Sequence, residues 1–198
     1  MEEQFCQNAL EVMNTPSARL LVLVGEKFAC IKIIGRANFT SSIDFKTLVN
    51  ELRQKGYSYF VLDLSECALM DSTFLGVLAG FGLKLSVAKN GGGPTLELLN
   101  PNARIIELLE NLGVLHLFKS TQGPLPLPEC VETRTPAPTN ATREELTRAC
   151  LEAHRTLMEI NPNNVSKFKD IAQFLSEDLK KLRTRKPVPE GCPGEAQS

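Results

Sequence analysis

Residues 59–76 read YFVLDLSECALMDSTFLG. Tyr59 to Leu64 is a short apolar run, of the length and composition of a strand buried on both faces. After a brief polar break, Asp71, Ser72 and Thr73 open a second apolar stretch that continues to Lys89. Asp, Ser and Thr favour helix starts because their short side chains accept hydrogen bonds from the free amides of the first turn. The segment therefore predicts strand, loop and helix, with Asp71, Ser72 and Thr73 at the positive end of the helix dipole. That position suits an anion, but helix capping alone also accounts for the three residues, and spacing leaves both readings open.

Outward from this segment, element types alternate. Leu20 to Val24 and Phe28 to Ile34 are strand-like, Ile43 to Lys55 helix-like, Tyr59 to Leu64 strand-like and Ser72 to Lys89 helix-like. Thr95 to Leu99 is strand-like, Ala103 to Leu112 helix-like, and a short strand is expected near Leu115 to Phe118. Gly25-Glu26 suits a tight hairpin between the first two strands, and each later strand follows a helix long enough for a parallel crossover. The pattern predicts an α/β fold, a mixed β-sheet with helices covering one face. Gly56, the run Gly91-Gly92-Gly93-Pro94, Asn100-Pro101 and Gly113 punctuate the helix ends.

Thr121 to Asn140 contains prolines 124, 126, 128, 136 and 138 and reads as a linker. Beyond it, Thr142 with Glu145 forms a capping box for a helix through Ile160, and Asn161-Pro162 starts another helix running to about Arg183. Leu146, Cys150, Ala153, Leu157 and Ile160 share one stripe, as do Val165, Phe168, Ala172, Leu175, Leu179 and Leu182. The pair predicts an antiparallel hairpin over 141–185. Two such helices bury little alone, so they should dock on the first domain, on a second copy of the chain or on a partner. The mixed charge beside the stripes assigns the hairpin to protein contact, with cover for its own first domain as the alternative. Residues 1–17 form an N-terminal segment, and the polar tail 186–198 reads as disordered.

The 198 residues carry 22 basic and 23 acidic side chains, and a net charge of −1 gives no broad field for a nucleic-acid backbone or an anionic membrane. Two acids after Met1 and no apolar core region argue against a secretory or transit peptide, which points to the cytoplasm. The apolar stretch Ala68 to Ala88 is interrupted by Asp71, Ser72, Thr73 and Lys84, so it reads as a buried helix and not a membrane insertion. The six cysteines show no CxxC spacing, and none lies within a few residues of either histidine, so neither a metal nor a cofactor is expected. Nothing in the spacing relates His116 or His154 to Ser72, and Gly91-Gly92-Gly93-Pro94 opens onto no G-K-[ST]. A catalytic role is not expected.

The run FVLDLSECALMDSTFLGVL resembles the signature of STAS domains, the family of sulfate transporters and anti-sigma factor antagonists, where a strand ending D-L-S precedes M-D-S-[ST]-G-L-G-V-L. Gly35 with its polar loop, and LELLNPNARIIELLENLGVLHLF, resemble the family's earlier loop and its closing strand, helix and strand. The resemblance covers roughly 18–120. In the family's bacterial antagonists, the first serine after the motif aspartate is phosphorylated by a partner kinase, and the unphosphorylated form binds that partner.

Carried over, the resemblance implies a transcription-regulating switch with Ser72 as phosphoacceptor. Asp71, Ser72, Thr73, Phe74 and Asn38 would form the surface for an anti-sigma factor or serine-kinase-like protein. A scaffold role for the domain within a transporter or signalling assembly, without phosphorylation, is the alternative. Two departures stand out. Phe74 occupies the usual glycine position, where it would narrow or re-select the partner surface, and Arg36-Ala37-Asn38-Phe39 replaces the family's acidic loop residue.

Overall fold

A computed structural model describes residues 17–25, 28–88, 96–124, 132–134 and 140–184. Strands β1 (Arg19–Val24) and β2 (Phe28–Ala37) pair antiparallel in register Val24 to Ala29. Gly25 N donates to Phe28 O at 2.9 Å across the expected hairpin, whose residue 26 lies outside the described residues. From β2 the chain passes through α1 (Phe39–Gln54) to β3 (Tyr59–Met70), then through α2 (Ser72–Ala88) to β4 (Leu96–Leu99). It continues through α3 (Ala103–Asn111) to β5 (Lys119–Thr121). Strands β2 to β5 are mutually parallel, the geometry that crossover helices impose. The six-stranded sheet has the order β5-β4-β3-β2-β1-β6, β6 being Glu132–Arg134.

The mixed sheet with helices on one face agrees with the sequence reading, and alternation along the strands explains it. Leu20 and Val22, Ile31 and Ile33, Phe60, Leu62 and Leu64, and Leu96 and Leu98 join helix residues in one core. At its centre, Phe45 lies 5.2 Å from Phe74 and 6.1 Å from Phe81, and Phe81 meets Phe60 edge-on at 5.1 Å. The opposite face carries a smaller cluster of Cys30, Val61 and Leu99.

Several boundaries differ from expectation for identifiable reasons. The first helix starts at Phe39 because Asn38 and Ser41 make a capping box. The third helix is capped by Asn102 instead of Asn100, whose φ of 53° places it in the left-handed region. β3 runs to Met70 because β2 stays paired with it through two register shifts, at Lys32/Ile34 and Gly35/Arg36. Leu115–Leu117 is a 3₁₀ turn that buries Leu117, and the strand expected there begins two residues later. Within the predicted linker, β6 pairs antiparallel with β1. Its residues fall between Pro128 and Pro136, where every residue retains a backbone donor, and it covers what would otherwise be an open sheet edge. The glycine run 91–94, the segment 1–16 and the tail 186–198 lie outside the described residues.

Helices α4 (Arg143–Ile160) and α5 (Val165–Thr184) form the antiparallel hairpin, with the Thr142/Glu145 capping box in place. Arg143 pairs with Asp178 at 3.2 Å and Arg183 with Glu144 at 3.2 Å, while Leu151, Ala172 and Leu179 close the seam. The assignment of this stripe to intermolecular contact is corrected for α4, which packs on α2 and α1. Leu157 is fully buried in the main core, so that face is already occupied.

The far end is tied as well. Asn164, fully buried, donates from Nδ2 to Leu112 O at 2.9 Å and Leu157 O at 3.0 Å, and Lys167 Nζ donates to Asn111 O at 2.7 Å. The bonds to Leu112 O and Asn111 O satisfy carbonyls that the end of α3 leaves without intrahelical partners.

Candidate functional site

The parallel neighbours β2 and β3 end side by side, and their C-terminal ends place Asn38 and Asp71 next to one another. Asp71 N donates to Ala37 O at 2.9 Å, which joins the two exits. The Asp71 carboxylate then serves two helices, its Oδ1 accepting from Phe74 N at 2.8 Å and its Oδ2 from Phe39 N at 2.7 Å. The positive ends of α1 and α2 thus converge on one half-buried acid. Burial pushes the Asp71 carboxyl above its ordinary value, opposed by the amides of Phe74, Phe39 and Thr73. The anion suited to this helix start is Asp71 itself.

Asn38 is committed locally. Its Oδ1 accepts from Ser41 N at 3.1 Å and from Ser17 Oγ at 3.2 Å. Ser72 begins α2 half-buried, and its Oγ lies 3.0 Å from His154 Nε2. His154 Nδ1 lies 2.8 Å from Cys150 O, and because a carbonyl only accepts, Nδ1 carries the proton and Ser72 donates to Nε2. Thr73, 4% exposed, directs Oγ1 at Cys150 Sγ, 3.6 Å away. Helix α4 therefore lies across the first turn of α2.

This changes two expectations. Phe74 is 0% exposed and packs at a tilt against Phe45, so it is a core residue and not part of a partner surface. The side chain fills space between the helices, and the departure from the family's glycine cannot reshape the exterior directly. His154, expected to be unrelated to Ser72, is its hydrogen-bond partner. A signal was present: His154 follows Cys150 by four residues and precedes Leu157 by three, so it belongs to the apolar face of α4.

Chemically, the neutral imidazole is a base beside a hydroxyl, but its other nitrogen is held by a backbone carbonyl and the pair is covered by α4. His154 is 3% exposed and its ring lies tilted, 4.9 Å from that of Phe168, and burial lowers its pKa below the ordinary 6.5 while Cys150 O and Asp71 oppose the shift.

The folded chain resists protonating His154, whereas the unfolded chain takes the proton near 6.5. The histidine's contribution is therefore complete above that value and declines as pH falls below it. Asp71 works oppositely: its raised pKa gives a contribution that is full below 3.8 and lost as pH rises through the folded value. His154→Leu isolates the histidine. Denaturant titrations should show the original chain losing stability relative to this variant as pH falls below about 6.5, and a constant difference would place His154 in solvent.

The comparisons with known proteins concern this same half of the chain. A search of curated proteins gave no match. Among solved structures, the anti-sigma factor antagonist SpoIIAA in its unphosphorylated form is 16% identical, with a TM-score of 0.45 over 52% of this chain and 88% of that one. The Bacillus cell fate determinant SpoIIAA in the phosphorylated form is also 16% identical, with a TM-score of 0.43 over 52% of this chain and 91% of that one. The sequence model of the STAS domain matches residues 19–125, a span that begins with β1 and includes both helix starts gathered around Asp71. The chain belongs to the STAS domain family.

Proposed function

We propose that the chain is an anti-sigma factor antagonist-like regulator in the cytoplasm, which binds an anti-sigma factor or serine-kinase-like partner through the region around Ser72 and is switched by phosphorylation there. The observation that carries this reading is the placement of the Ser72 hydroxyl on the first turn of α2, directly after the half-buried Asp71 that caps that helix, within a STAS domain. In the transfer step, the γ-phosphoryl of a nucleoside triphosphate leaves its anhydride oxygen and bonds to Ser72 Oγ. The serine proton is released to a base, and the nucleoside diphosphate departs.

The switch is electrostatic. A phosphoryl group brings roughly 1.5 to 2 negative charges beside Asp71, and a contact surface would have to desolvate both. With about 1.4 kcal/mol per tenfold in affinity, a penalty of a few kcal/mol releases a partner by about two orders of magnitude. The helix dipole returns only about 0.3 to 1 kcal/mol of this.

Phosphopeptide mapping of protein from its native host should place the modification on Ser72. Against the partner captured there, Ser72→Asp should bind about a hundredfold more weakly, while Ser72→Ala binds as the original does. Equal affinity for both variants would remove the switch and favour the scaffold role.

A further inference from the structure

The surface that carries Ser72 is the surface on which the hairpin lies. Ser72, Thr73, Gly76 and Gly80 follow one side of α2 at helical spacing, and each meets α4. Ser72 faces His154 at 3.0 Å and Thr73 faces Cys150 at 3.6 Å. A Cβ added at Gly76 would stand 2.5 Å from Ala153 O, and one added at Gly80 would lie 3.4 Å from Thr156 Cγ2. Glycine at the closest crossing lets the two helix backbones approach, so this face of α2 is shaped for a helix with small residues at the contact. The chain itself supplies that helix.

We infer that the hairpin is an intramolecular occupant of the Ser72 surface, and that a phosphoryl group on Ser72 drives α4 off it. The inference rests on the reading of Ser72 as phosphoacceptor and names the regulation of that same site. A hydrogen-bond gap of 3.0 Å between Ser72 Oγ and His154 Nε2 has no room for a phosphorus atom and three further oxygens. The added charge would sit between the Asp71 carboxylate and an imidazole whose burial favours its neutral form. Unmodified, the hydroxyl donates to that imidazole and holds α4 down. At the opposite end, the bonds of Asn164 and Lys167 to Leu112 O and Asn111 O lie far from Ser72 in sequence and keep a lifted hairpin tethered. A trans partner for this face would present a helix with a small residue opposite Gly76, and would compete with α4.

The test needs neither partner nor kinase. The full chain is prepared with phosphoserine incorporated at position 72, and separately as Gly76→Leu, which wedges the helix crossing without entering the sheet core. Hydrogen exchange is followed in α4 and in the central strands β2 and β3. Both proteins should exchange α4 amides at least about tenfold faster than the unmodified chain, with β2 and β3 equally protected. Unchanged or slower exchange in α4 with phosphoserine would mean that the phosphate is accommodated or clamped by His154, and would overturn the inference. Loss of protection in β2 and β3 together with α4, in either protein, would also overturn it, because the hairpin would then be part of one cooperative core. If α4 is released by phosphoserine but Ser72 carries no phosphate in the native host, the proposed function fails while the coupling between charge and hairpin stands.

Discussion

Phe74→Ala is expected to lower the unfolding free energy by about 3–5 kcal/mol, the cost of removing a buried aromatic ring from a core that closes only partly around the gap. The ring is 0% exposed and packs 5.2 Å from Phe45, which itself meets Phe81. Its removal opens the space between α1 and α2 and loses aromatic contact beyond the area term. Phe74→Gly, which installs the residue usual in the family, should cost still more, since glycine adds about 1 kcal/mol inside a helix. Phe74→Leu retains much of the volume and should fall clearly below both. Urea denaturation of the three variants checks the order. A loss under about 1 kcal/mol for Phe74→Ala, accompanied by altered partner capture, would return Phe74 to the surface assigned to it by resemblance.

The way Phe74 and His154 escaped the sequence reading has a single physical cause. Helix α2 carries apolar or small residues on nearly every side, and Phe74, Leu75, Leu78, Ala79, Phe81 and Leu85 are all buried. A helix apolar all round has no face from which to infer orientation, but it does announce cover on both sides. The sheet supplies one cover and α4 the other. The docking partner of the hairpin was thus implicit in the composition of residues 72–88, although its register was not. The Ser72–His154 bond spans 82 residues of sequence, and no local spacing rule reaches across that distance.

Local chemistry was more legible. Gly56 and Gly113 end their helices at φ of 90° and 67°, in the left-handed region where glycine is at ease. The Thr142/Glu145 box and the strand-to-helix passage at Asp71 are where the side-chain types placed them, because capping is decided within four residues. β6 was hidden by its neighbours. Its three residues are too few for a periodic signal, and five flanking prolines between Pro124 and Pro138 dominate the composition there.

The same capping logic makes Asp71→Ala the second large effect, with an expected loss of about 2–4 kcal/mol from two charge-assisted hydrogen bonds, partly offset by relief of a partly desolvated charge. The substitution leaves Phe39 N and Phe74 N without their acceptor and removes a carboxylate that bonds the starts of both α1 and α2. Asp71→Asn preserves one acceptor oxygen, but its amide nitrogen would face a second backbone donor, so it should recover only part of the loss. The dependence on pH separates this role from simple packing. Because burial raises the folded pKa of Asp71 above 3.8, proton uptake favours the folded chain, and the advantage of the original chain over Asp71→Ala should widen as pH falls from neutral toward that value. Denaturant midpoints for the two proteins across that range provide the measurement. A gap that narrows on acidification would mean that the amide bonds to the carboxylate outweigh its desolvation, and that Asp71 is held as a stabilised anion. In either case, losing the cap should loosen the first turn of α2 and release Ser72 from His154, so Asp71→Ala should also speed exchange in α4 without any charge at position 72.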